Sequence, residues 1–186
     1  MFIQTEATPN PATIKFLPGQ VVLEGGTAEF ETAADIKGQS PLAEALFALQ
    51  GVDGVFFGQD FVSVSKAGDT DWVMLKPMVL AALMQHFSMG LPVMAEGVQV
   101  DGNAPLEDDD VVVLQIKELI TERVRPSVMM DGGDIEFERF DEGIVYLRLK
   151  GACSGCPSST MTLKSGIENM LKHYVPEVVE VQAVNG

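Results

Sequence analysis

The sequence is poor in cysteine: its 186 residues contain two, Cys153 and Cys156. Two cysteines cannot build a disulfide framework, and a pair separated by two residues is more often metal-binding or redox-active. No apolar run approaches the about 18 residues that a membrane span needs. The N-terminal residues also lack the patterns of signal and transit peptides. These absences predict a soluble chain that stays where it is made or has lost an organellar leader.

Basic residues are also scarce, since 12 Lys and Arg face 27 Asp and Glu. The formal net charge is −15, both halves of the chain are acidic, and no basic stripe occurs. Such a surface repels a phosphate backbone, so we expect no nucleic-acid partner.

The first half reads as a β-β-α-β-β-α unit. Strands are predicted at residues 3–5 and 13–17, and two β-rich runs flank a Gly-containing turn at 58–60. A helix begins at Ser40-Pro41, with Ser as the N-cap, Leu42, Leu46 and Leu49 on its buried face, and an end before Gly51. A second helix is predicted over residues 71–87, where Pro77 marks either a kink or the true start.

The second half reads as an α-β-β-α-β unit. Its first helix follows an acidic cluster at 107–110 that stabilises the helix N-terminus, and Pro126 is expected to end it. Strands follow at 135–140 and 144–149, then a helix after the cysteines whose buried face includes Tyr174, and a last strand within 177–184. Residues 89–107 lack periodicity. The predicted fold is therefore α+β, with two small α/β-sandwich-like domains, 1–88 and 108–186, joined by a linker at 89–107.

Both cysteines lie in the segment GACSGCPSST, residues 151–160, between a predicted strand and a predicted helix. Unpaired N–H groups and the dipole at a helix N-terminus favour anions, so they lower a thiol pKa and favour the thiolate. The neighbours Gly151, Ala152 and Gly155 are small, which lets backbone N–H groups approach a sulfur-rich ligand and lets a second copy of the loop come close.

The number of ligands decides what this pair can bind. Structural zinc usually takes four ligands and iron–sulfur clusters usually take four cysteines, whereas one chain offers two. His86 and His173 do not flank the pair, and His173 lies four to five helical turns beyond it. Two copies of the chain would supply four thiolates on a two-fold axis. On these grounds an iron–sulfur cluster, zinc and thiol redox chemistry all stay open.

Longer motifs carry a resemblance to a known family. The segment RPSVMMDGGDIEFERF and the block GACSGCPSSTMTLKSGIE resemble the C-terminal domain of NifU, which is shared by Nfu-type iron–sulfur scaffold and carrier proteins. The first half, from FIQTEATPNPATIKFLPG to VFFGQDFVSVSK, resembles the N-terminal domain of Nfu proteins. On the residues alone, Asp131 to Asp134 is interpreted as a turn that leads into a strand.

The resemblance implies a [4Fe-4S] cluster that bridges two chains and is bound by Cys153 and Cys156 of each. It implies a homodimer that forms on cluster binding and a carrier, not an enzyme. Partners would be apo iron–sulfur proteins and upstream cluster-assembly proteins, in a bacterial cytoplasm or a mitochondrial matrix. The bound cluster is expected to be exposed and held by few contacts. The alternatives are a thiol–disulfide oxidoreductase and a zinc-bridged structural dimer.

Overall fold

The computed structural model describes residues 1–97, 103–154 and 157–184. The predicted α+β architecture is confirmed, with two domains that each have a sheet and a hydrophobic core. Cys156 and the linker residues 98–102 lie outside the described residues.

The N-terminal domain has a five-stranded antiparallel sheet in the order β1-β2-β5-β4-β3. Helices cover one face of this sheet and bury the main core of the domain against it. The elements are β1 (Gln4–Ala7), β2 (Thr13–Leu17), β3 (Ala28–Phe30), α1 (Ala33–Ile36), α2 (Pro41–Phe47), β4 (Val52–Phe57), β5 (Val62–Lys66) and α3 (Trp72–Ser88).

Two short elements, β3 and α1, were not expected from the sequence. Both are too short, at three and four residues, to establish a periodicity. The Ser40 N-cap is confirmed, because its Oγ accepts from the N–H of Ala43 at 3.0 Å. Leu49 lies beyond the end of α2, and α3 continues through Pro77, which therefore does not mark its start.

The N-terminal sheet buries residues on both of its faces. In the register of β2, β5, β4 and β3, Lys15 lies opposite Ser63, Ser63 opposite Phe56, and Phe56 opposite Glu29. We call these four residues the contact row. Alternate residues of a strand face opposite sides, and the strand neighbours of the contact row pack into the helix-covered core. The contact row therefore lies on the other face, where Lys15, Phe56 and Ser63 are buried.

The C-terminal domain begins with a long helical segment: α4 (Val111–Leu119), a π-helical stretch (Ile120–Val124) and α5 (Arg125–Met130). The acidic cap is confirmed, because Asp110 Oδ1 accepts from the N–H of Val113 at 2.9 Å. The prediction that Pro126 ends the helix is wrong. Proline has no N–H to donate, and the helix accommodates it at the start of α5, after the wider turn in which the N–H of Arg125 donates to Ile120.

The C-terminal sheet follows in the predicted order. An antiparallel hairpin of β6 (Gly133–Asp141) and β7 (Ile144–Gly151) precedes α6 (Pro157–Tyr174), and β8 (Glu180–Val184) pairs in parallel with β7. Tyr174, predicted on the buried face of the last helix, is 40% exposed, and the guanidinium of Arg123 lies 4.8 Å from its ring centroid.

Asp134 ties the two domains together at the start of β6. Its carboxylate accepts from Nε and Nη2 of Arg125, both at 3.0 Å, and from Oγ1 of Thr27 at 2.6 Å. Asp134 and Arg125 are both buried. Removing one partner of a buried, hydrogen-bonded ion pair strongly destabilises the folded protein, because the remaining charge stays buried without its partner.

We predict that Asp134→Ala lowers the free energy of unfolding by about 3–5 kcal/mol, measured by urea denaturation. The matched control is Glu138→Ala, which removes the partly exposed pair between Glu138 and Arg148 and should cost about 1 kcal/mol or less. Equal losses for the two variants would contradict this role for Asp134.

Candidate functional site

Cys153 lies in the turn between β7 and α6, as the sequence predicted. The turn is closed by backbone hydrogen bonds from the N–H of Ala152 to Gly132 and from the N–H of Ser154 to Gly151, at 3.2 and 3.1 Å. The helix that follows begins at Pro157, so Cys153 precedes a helix N-terminus by four residues. Cys156 lies outside the described residues, and its proximity to Cys153 stays a prediction.

Three glycines support this turn, and we call Gly132, Gly133 and Gly151 the glycine corner. Gly132 and Gly151 have positive φ angles of 83° and 63°, in the region where glycine is favoured. An ideal Cβ on Gly151 would lie 2.7 Å from the carbonyl oxygen of Gly132 and 3.0 Å from Cα of Gly133. The two motif blocks DGGDI and GACSGC therefore meet in space, which their separation in the sequence did not predict.

Cys153 is buried in this structure, with 6% of its surface exposed, and belongs to the C-terminal core. An ideal Cβ on Gly133 would lie 2.9 Å from its Sγ, so the thiol packs directly over that glycine. The expectation of an exposed site concerned the cluster-bound dimer.

The contact row of the N-terminal domain meets the glycine corner. The hydroxyl of Ser63 donates to the carbonyl oxygen of Gly132 at 2.7 Å. An ideal Cβ on Gly151 would lie 3.0 Å from Cγ of Phe56, so the ring packs against bare backbone there. The N-terminal sheet thus contacts both strand ends that support Cys153.

A cavity of about 230 Å³ lies between the two domains beside the thiol. The N-terminal domain contributes Glu29, Glu31 and Asp35 to its lining, and the C-terminal domain contributes Cys153 and the basic side chains of Arg148 and Lys150. The sequence has no Asp or Glu within seven residues of the cysteines. The fold nevertheless brings three carboxyl groups to the same cavity.

Burial raises the pKa of Glu29 from 4.5 to about 7. Desolvation is the largest cause, and the neighbouring charge of Glu31 adds to it. The N–H of Gly151, which donates to Glu29 Oε1 at 2.6 Å, acts in the opposite direction, as do the charges of Lys150 and Arg148. Glu29 therefore titrates near neutral pH at the contact between the domains.

The two histidines are remote from this site. His86 is buried near the end of α3, where its Nε2 lies 3.1 Å from the carbonyl oxygen of Pro92, and desolvation lowers its pKa. His173 is exposed at the end of α6 and packs edge-on against Tyr174. Neither reaches Cys153, as the spacing indicated.

Sequence reasoning missed the residues that the first domain contributes. The signal was present in β4, where the run Val55-Phe56-Phe57 has no polar alternation. Continuous apolar residues in a strand indicate that both faces of the sheet are covered. Lys15 and Ser63, in contrast, have the polar character of solvent-facing positions, so their burial could not be predicted.

We predict that Gly133→Ala disturbs the site and lowers the free energy of unfolding by about 1–3 kcal/mol. The added Cβ would lie 2.5 Å from the carbonyl oxygen of Lys150, which is backbone and cannot move freely. The matched control is Gly166→Ala in α6, where an added Cβ would meet no atom within 4 Å beyond the adjacent residues and the backbone of its own helix. It should stabilise the helix by about 0.5–1 kcal/mol. Urea denaturation measures both changes, and an equally stable Gly133→Ala would contradict the close packing.

We predict that Glu29→Gln removes a pH dependence of stability. Because the folded-state pKa of Glu29 is raised, its contribution to the free energy of unfolding is complete below pH 4.5 and is lost as the pH rises through 7. Gln keeps an oxygen that can accept from Gly151 and has no charge to desolvate. Between pH 5 and pH 8 the free energy of unfolding of the wild type should therefore fall relative to that of the variant, by on the order of 1–3 kcal/mol. Parallel pH profiles would contradict the raised pKa.

No helix in the described part of the chain is both long and apolar enough to cross a bilayer.

Comparisons with known proteins match nearly the whole chain. The family described as NifU-like domain matches residues 116–182, and the family described as Scaffold protein Nfu/NifU N terminal matches residues 3–90. The NFU1 iron-sulfur cluster scaffold homolog of Homo sapiens, named as mitochondrial, is 50% identical over 99% of this chain and 72% of its own length.

Two further relatives are also named as mitochondrial. NifU-like protein 4 of Arabidopsis thaliana is 51% identical over 98% of this chain and 65% of its own length. The NFU1 homolog of Drosophila ananassae is 49% identical over 99% of this chain and 64% of its own length. The chain thus spans about two thirds of the length of these relatives. It belongs to the Nfu/NifU family of iron–sulfur cluster scaffold proteins, with an Nfu N-terminal domain followed by a NifU-like domain.

Proposed function

We propose that two copies of this chain bind one [4Fe-4S] cluster between them and deliver it to apo iron–sulfur proteins. The four ligands are Cys153 and Cys156 of each copy. The observation that carries the proposal is the count of thiols: the chain has these two cysteines and no others. A cubane cluster needs four thiolates, one for each iron.

The surroundings of Cys153 support a sulfur-rich ligand. The turn lies ahead of the N-terminus of α6, an 18-residue helix, so its dipole favours a thiolate. The glycines of the corner have no side chains of their own, so the N–H of Gly151, which donates to Glu29 in this structure, can donate to a cluster sulfur once the loop is exposed. These features stabilise the anionic ligand that iron requires.

The cluster is cargo that the carrier passes on, and its transfer is a ligand exchange. Thiolates of a recipient protein replace those of the carrier one at a time, so each new Fe–S bond balances one that breaks and no electron is transferred. A cluster held by two small loops at the boundary of two chains offers access for such exchange. Upstream cluster-assembly proteins would supply the cluster by the reverse exchange.

We predict that anaerobic reconstitution gives about two irons and two sulfides per chain, corresponding to one cluster shared by two chains. Cys153→Ala and Cys156→Ala should each abolish binding, because each removes two of the four ligands from the symmetric site. Iron and sulfide analysis with size-exclusion chromatography measures both. Ser154→Ala, in the same loop, is the matched control and should retain the cluster.

Other results would favour other functions. Four irons on a single chain would contradict a shared site. Zinc in protein isolated without air and grown in iron-replete medium, with no iron uptake, would indicate a zinc-bridged structural dimer. Metal-free turnover of dithiols with a physiological reductant would indicate a thiol–disulfide oxidoreductase.

A further inference from the structure

The N-terminal domain contacts the backbone on both sides of Cys153. On one side, Glu29 Oε1 accepts from the N–H of Gly151. On the other, Nδ2 of Asn10 donates to the carbonyl oxygen of Ser154 at 3.4 Å. Polar groups of the loop backbone are therefore already used by the first domain.

The contact row aligns with the glycine corner over four adjacent strands. From Lys15, whose Nζ donates to the carbonyl oxygen of Met130 at 3.3 Å, the row continues through Ser63 and Phe56 to Glu29. Each residue of the row thus makes its own contact with the second domain. Lys15 and Ser63 donate hydrogen bonds, the ring of Phe56 packs on backbone, and Glu29 accepts a hydrogen bond. Together these contacts bury the sheet face that would otherwise be in solvent.

The electrostatics of this arrangement oppose cluster binding. Three carboxyl groups, those of Glu29, Glu31 and Asp35, line the cavity that also contains Cys153, against two basic side chains, those of Arg148 and Lys150. A thiolate is repelled by those carboxyl groups that are ionised, and so is a cluster with four thiolate ligands and a net negative charge. The same contact covers the backbone of the loop that must meet a second chain.

We propose that the N-terminal domain is a displaceable cap on the cysteine loop, which holds the cluster-free chain closed and opens when two chains bind a cluster. This inference rests on the proposed function. Because coupling between two binding events is reciprocal, any change that weakens the cap strengthens cluster binding, and the bound cluster weakens the cap. Because only open chains bind the cluster, the apparent affinity equals the affinity of the open form multiplied by the small fraction of chains that are open.

Lys15 provides a direct measurement of opening in the full chain. Its side chain is 10% exposed in the closed form, against Met130 and under the ring of Phe61. With an amine-reactive ester under anaerobic conditions, followed by mass spectrometry, we expect Lys15 to be labelled several-fold faster in the cluster-loaded protein. Lys117 is the matched control, since its side chain is 5% exposed and pairs with Asp109 inside the C-terminal domain. Its labelling should not increase.

A pair of variants in β5 tests whether a weaker domain contact speeds cluster uptake. Ser63→Ala removes the hydrogen bond to Gly132 across the domains, and should raise the rate of cluster uptake about fivefold, the factor equivalent to one net hydrogen bond. Ser65→Ala is the matched control, because the hydroxyl of Ser65 pairs with Thr13 within the N-terminal domain at 2.7 Å. It should leave the rate unchanged.

The outcomes separate this inference from the proposed function. Cluster uptake with unchanged labelling of Lys15 would overturn the cap and leave the carrier function standing. Equal uptake rates for Ser63→Ala and Ser65→Ala would also overturn it. If the wild-type chain took up no cluster, the proposed function would fail, and the cap with it.

Discussion

The close approach of two strand ends at the glycine corner is the constraint on which the site depends. β6 begins and β7 ends where Gly133 pairs with Gly151, and no side chain separates the two backbones there. This bare backbone leaves room for the thiol of Cys153 over Gly133 and for the ring of Phe56 over Gly151. A side chain at either position would displace the cysteine turn, the domain contact, or both.

The same corner is where a domain without cysteine contacts the loop that contains Cys153. The N-terminal sheet uses its helix-covered face for its own core and its other face, the contact row, for the loop that bears Cys153. Asp134, at the beginning of β6, accepts from Arg125 in its own domain and from Thr27 in the other. The strand ends that support the turn therefore also contact the first domain.

Much of the fold follows from local signals in the sequence. The Ser40 cap, the turn at residues 58–60 and the order of elements around the cysteines rest on interactions within a few residues, and the structure confirms them. The π-helical stretch before Pro126 was not predictable, because proline ends some helices and is accommodated in others by tertiary packing. The domain contact joins residues far apart in the sequence, such as Ser63 and Gly132, 69 positions apart, and Glu29 and Gly151, 122 positions apart, and no local pattern predicts such a pairing.

The proposed function depends above all on two chains sharing one cluster through four thiolates. Native mass spectrometry of a reconstituted mixture of unlabelled and ¹⁵N-labelled chains tests this most directly. A shared site predicts cluster-bearing species at the masses of two unlabelled chains, two labelled chains and one of each, with a single [4Fe-4S] cluster in every one. A cluster found only at the mass of one chain would contradict it.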